Sequence, residues 1–108
     1  MSITLRDAQY ASWKNFRMIN DKLNPEAGKR WTPSAMMIDL LSKAEKLASI
    51  IKSLEDSAPC SEQETKQTIA SELSDLLYTV FVLAENYRVE LEDVFMQTVN
   101  DYVLKFIK

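Results

Sequence analysis

The chain predicts an all-α fold of four helices packed as a bundle, and three observations predict it. Glycine occurs once, at Gly28, and proline three times in 108 residues. So few turn formers leave little room for many short strands. Apolar residues recur every three or four positions along most of the length, which is the helical repeat. Three of the periodic segments open on a helix-start residue: Thr4, Thr32 and Ser61. A chain of this length suits one domain over residues 1–108, with one modest core.

The first helix is expected over residues 5–22. Thr4 and Asp7 make an approximate capping box, and Leu5, Ala8, Trp13, Phe16, Met18 and Ile19 follow at roughly helical spacing. Asn24-Pro25-Glu26-Ala27-Gly28 then turns the chain. The second helix has the clearest start: Thr32 caps it, and Pro33 takes the first helical position, where its missing N–H costs nothing. Its broad apolar face runs from Met36 and Met37 through Leu40, Leu41 and Leu47 to Leu54, and it should end near Glu55. The third helix opens at Ser61 with Glu64 in the capping-box position and should reach about Tyr87. Residues 76–84 are apolar on nearly every side, apart from Thr79. A helix apolar all round must be covered on more than one side, which in a small chain points to a dimer or higher oligomer. The fourth helix is expected over 91–107, with Leu91, Val94, Phe95, Val99, Tyr102, Val103 and Phe106 as its apolar stripe.

Composition excludes several functions. The net charge is -3, against the basic stripe of a nucleic-acid binder. No apolar run approaches the roughly 18 residues of a membrane span, and the first residues lack a signal-peptide layout. The lone Cys60 cannot form an internal disulfide, so a cytoplasmic setting is the expectation. Histidine is absent, which removes His-based triads and most zinc sites. A metal here must be held by carboxylates, which suit Mg²⁺ or Mn²⁺.

Glu72 and Asp75 lie three apart on the third helix and share one face. By spacing alone such a pair reads as a solvated helix edge. The sequence around it, Glu72-Leu73-Ser74-Asp75-Leu76-Leu77, resembles the E-x-x-D-hydrophobic motif of the MazG-like, all-α nucleotide pyrophosphohydrolases. Val82-Leu83-Ala84, then Val89-Glu90-Leu91-Glu92-Asp93-Val94, resemble that family's following apolar run, turn and final helix. Upstream, Trp31-Thr32-Pro33 with Met36-Met37 resembles its entry into the first metal helix. The resemblance spans about residues 4–107 and implies a four-helix MazG-like bundle. It also implies a nucleoside triphosphate as ligand and Mg²⁺ held by two acid pairs on facing helices. Hydrolysis would give a nucleoside monophosphate and pyrophosphate. Under it, Glu72 and Asp75 are catalytic and metal-binding residues.

On the second helix the acid pair is replaced. Lys43 and Lys46 stand where the resemblance puts E-x-x-E, so the four positions carry two positive and two negative charges. A neutral set attracts Mg²⁺ far less than four acids, and the lysines can instead pair with Glu72 and Asp75 or meet phosphate directly. Asp39, one turn before Lys43, is a candidate further metal ligand, although the helix dipole also accounts for an acid there. Using Glu45 instead would rotate Leu47 and Ala48 off their face. On the fourth helix Thr98 and Tyr102 stand where the family often has a phosphate-contacting Lys and Asn.

Trp31 can stack on a base or pack as a hydrophobic staple beside the helix cap. Lys29-Arg30 can meet phosphates but reads more simply as a solvated loop pair. Lys105 and Lys108 read as cations at a helix C-terminus that suit its dipole, Met36 and Met37 as core filler, and Cys60 as an unactivated thiol. Two functions therefore stand from sequence: a nucleotide-binding family member that hydrolyses only if the lysines permit it, or a non-catalytic helical dimer or adaptor. A homodimer or tetramer is expected in either case.

Overall fold

A computed structural model describes residues 2–23, 31–56 and 62–106. The turn at 24–28, the Lys29-Arg30 pair, Cys60, the Ser61 cap and Lys108 lie outside the described residues. Among the described residues there are four helices: α1 (Leu5–Leu23), α2 (Pro33–Asp56), α3 (Glu62–Asn86) and α4 (Leu91–Phe106). Among the described residues there is no strand. No helix is long and apolar enough to cross a membrane.

The caps form as their residue types dictate. Thr4 Oγ1 accepts from the Asp7 backbone N–H at 3.0 Å, and Asp7 Oδ2 accepts from the Thr4 N–H at 3.2 Å. Two of the N–H groups that a helix start leaves unpaired are thereby satisfied. Thr32 Oγ1 takes the Ala35 N–H at 3.1 Å and starts α2 with Pro33 inside the first turn. At its other end α3 closes in a Schellman turn. Val89 N–H donates to the Ala84 carbonyl at 2.9 Å and Arg88 N–H to the Glu85 carbonyl at 3.0 Å. That turn requires a left-handed residue at Arg88, which has φ 56°.

α3 is the central element, packed against α2 on one side and α1 on another, while α4 packs mainly against α1. The tie to α4 is polar. Gln9 is 3% exposed. Its side-chain amide donates to the Val89 carbonyl at 2.7 Å and accepts from the Leu91 N–H at 3.1 Å, so it pins the α3–α4 turn to α1. Arg6 adds ion pairs to Glu90 and Glu92 at the start of α4. These are exposed and contribute little to stability.

The buried apolar core is small: Met36, Leu47, Phe81 and Val82. The radius of gyration is 17.0 Å, against about 13 Å for a compact chain of this length. None of the α4 residues is buried, and Val94, Phe95, Tyr102 and Phe106 of its apolar stripe are exposed. The periodicity is real, but among the described residues nothing covers it.

Candidate functional site

The pattern of lysines on α2 and acids on α3 becomes a contact because the two helices run antiparallel. Residues three apart on each helix share a face. Reversing one helix then sets 43 against 75 and 46 against 72. Lys46 Nζ lies 3.3 Å from Glu72 Oε1. Lys43 Nζ lies 3.8 Å from Asp75 Oδ1, a looser approach. Its close partners are Asp39 Oδ2, one turn back on its own helix at 2.9 Å, and Thr79 Oγ1 at 3.0 Å. Thr79 in turn donates its hydroxyl to the Asp75 carbonyl at 3.2 Å. An ammonium has three N–H donors. Two are engaged at Asp39 and Thr79, and among the described residues the third meets only the looser Asp75 carboxylate, which an incoming acceptor could displace.

This cluster closes one end of a cleft of about 280 Å³ between α1, α2 and α3. The rings of Phe16, Trp31 and Tyr78 and the buried Met36 and Val82 form its apolar lining; Lys43, Asp39 and Thr79 form its polar end. Tyr78 donates to Asn15 Oδ1 at 2.8 Å. Burial pushes its phenol above the ordinary value, with the Lys43 ammonium pulling the other way. Past Trp31, Phe16 and Met36 a second hollow of about 180 Å³ continues, edged by Arg17, Asn20, Asp21 and Asn86. A larger hollow of about 420 Å³ lies by the α3–α4 turn, walled by Arg6, Glu85, Arg88 and Glu90. Its walls are already tied together by the Arg6 ion pairs.

The expected site residues thus separate. Lys43, Asp39 and Trp31 meet at the aromatic cleft, while Lys46, Glu72 and Asp75 form its charged shoulder. Trp31 precedes the Thr32 cap and shares the cleft with Met36, so the staple and the cleft wall are one arrangement. Thr98 and Tyr102 do not line the cleft. Thr98 donates to the Val94 carbonyl on its own helix, and Tyr102 stacks on Phe106. Three residues were not read as site residues from sequence: Phe16, Tyr78 and Thr79. Thr79 did carry a signal, as the one hydroxyl in an apolar run.

Mg²⁺ needs several carboxylate oxygens with few competing cations nearby. Among the described residues no three metal-ligating side chains gather. Asp39 is engaged by Lys43 and Glu72 by Lys46. The donor set does not fit the ion, because the positive charge a metal supplies is already covalently present.

With this geometry in place, comparison adds one finding. The family model described as phosphoribosyl-ATP pyrophosphohydrolase matches residues 17–100, more than three-quarters of the chain. That family lies within the MazG-like all-α superfamily whose motifs the sequence resembles. No curated protein and no solved structure gives a significant match.

Proposed function

The chain belongs to the phosphoribosyl-ATP pyrophosphohydrolase family, and on that premise we propose that it binds a phosphorylated nucleotide without hydrolysing it. The ligand class is phosphoribosyl-ATP, which the family name carries, or the nucleoside triphosphate that the sequence resemblance implies. The observation that carries the reading is the place of Lys43. Its ammonium stands at the polar end of an aromatic cleft, held by Asp39 and Thr79. A planar base fits between rings, and a phosphate oxygen can take the remaining Lys43 donor and draw Lys46 from Glu72 as point-charge contacts. The second hollow, with Arg17 and Asp21, gives the far end of such a ligand polar partners.

Hydrolysis is set aside because of the residues present. The carboxylates that would hold Mg²⁺ are paired with lysines. Isothermal titration with ATP and with phosphoribosyl-ATP, in EDTA, checks the proposal. Binding heat is expected without added metal, weakening as salt rises, and Lys43→Met should reduce affinity at least about tenfold, the loss of one charge-assisted contact. A chain that binds neither compound in EDTA is not the protein proposed here. That outcome is what the competing reading, a helical scaffold with no nucleotide ligand, expects.

A further inference from the structure

The polar end of the cleft offers fixed ammonium groups where a divalent cation would stand, and we propose that Mg²⁺ competes with this protein for its nucleotide. The ligand is the metal-free polyphosphate, and its Mg²⁺ complex is excluded. This selectivity rests on the nucleotide-binding reading above and adds to it the ionic form of the ligand. Its ground is the misfit between these residues and a divalent cation.

Lys43 is fixed on the protein side. Its side chain is 26% exposed, and its ammonium touches Asp39 Oδ2 at 2.9 Å and Thr79 Oγ1 at 3.0 Å. Thr79 is 5% exposed and commits its own proton to the Asp75 carbonyl, so its oxygen meets Lys43 as an acceptor. A phosphate oxygen that displaces Asp75 reaches Nζ at about 3 Å. Mg²⁺ holds phosphate oxygens at about 2 Å. On one oxygen the two cations would therefore stand within about 5 Å of each other. The lining beside them is Phe16, Trp31, Met36 and Val82, apolar groups that screen such a repulsion far less than water does. The neighbouring acids do not offset it. To ligate the ion beside the phosphates, Asp39 must leave Lys43 and Glu72 must leave Lys46. Both freed ammonium groups would then still border the ion. Asp75 is more loosely held, 3.8 Å from Lys43 Nζ, and an ion on it would face the same ammonium. Complexation also cancels part of the phosphate charge that draws Lys43 and Lys46. A bare polyphosphate keeps that charge and brings no second cation.

Calorimetric titration of the full chain with ATP, first in EDTA and then at rising Mg²⁺ with ionic strength held constant by NaCl, reads the effect. The apparent Kd should rise as the uncomplexed fraction of ATP falls, by about a hundredfold when roughly 1% of the ATP is uncomplexed. An apparent Kd that stays level or falls as Mg²⁺ rises overturns the inference and leaves the nucleotide-binding reading intact. Binding that appears only with Mg²⁺, or not at all, removes that reading and this inference with it. Lys43→Met assigns the exclusion to its residue. The variant should bind ATP more weakly in EDTA, and its rise with Mg²⁺ should be smaller than the wild-type rise by about tenfold or more, because the fixed charge nearest the ion is gone. A variant that keeps the full rise shows that Lys43 does not exclude the complex and overturns the assignment. Where Lys43→Met binds too weakly to titrate, Lys46→Met at a largely exposed position is read the same way, with a reduced rise expected and an undiminished one counting against the proposal.

Discussion

Replacing both lysines, Lys43→Glu with Lys46→Glu, should turn a chain expected to hold Mn²⁺ poorly into a metal binder. The wild-type cluster sets two ammonium groups against Asp39, Glu72 and Asp75. The double change leaves five carboxylates and no cation. Two unit charges about 4 Å apart interact by ~4 kcal/mol at an effective dielectric near 20. Lys46 is largely exposed, so solvent screens its share. An allowance of about 3 kcal/mol for the pair still corresponds to at least about a hundredfold in affinity. The variant should also lose stability in EDTA, through repulsion among the acids, and regain it with Mn²⁺. Electron paramagnetic titration of free Mn²⁺ reads the first effect and urea unfolding the second. A folded double variant that takes up no Mn²⁺ means that the facing of the two helices is misread.

The second large effect is expected at Phe81. Among the described residues only four apolar side chains are buried, so each carries an unusual share of the fold. Phe81 is 4% exposed and does not line the cleft. Phe81→Ala removes the largest buried ring and leaves a cavity, with an expected cost of about 3–5 kcal/mol. Small domains have roughly 5–15 kcal/mol in total, and a core this size belongs near the lower end. Urea unfolding should therefore show a variant partly unfolded without denaturant. A loss under about 1 kcal/mol would mean that Phe81 sits against space already empty.

Local chemistry made much of this structure readable in advance. Thr4 with Asp7, and Thr32 with Pro33, fix helix starts through bonds that span three residues, and such bonds depend on nothing distant. The facing of Lys43 and Lys46 with Glu72 and Asp75 was readable for a related reason. Two pairs at the same spacing on neighbouring antiparallel helices can meet only one way. What escaped was set by the tertiary arrangement. Gln9 looks like a surface residue in sequence, and only the return of the α3–α4 turn buries it. Phe16 and Tyr78 look like packing residues until the helices leave a cleft between them. The α4 stripe has the period of a buried face, but period does not say which chain does the burying.

The central claim is that tethered ammonium groups occupy the cationic role in this site. Turnover in Mg²⁺ examines it most directly. Phosphoribosyl-ATP and a panel of nucleoside triphosphates are incubated with the chain and released pyrophosphate is followed. The account predicts release no faster than in the protein-free control for every compound. Mg²⁺-dependent release that disappears in Glu72→Gln would contradict it.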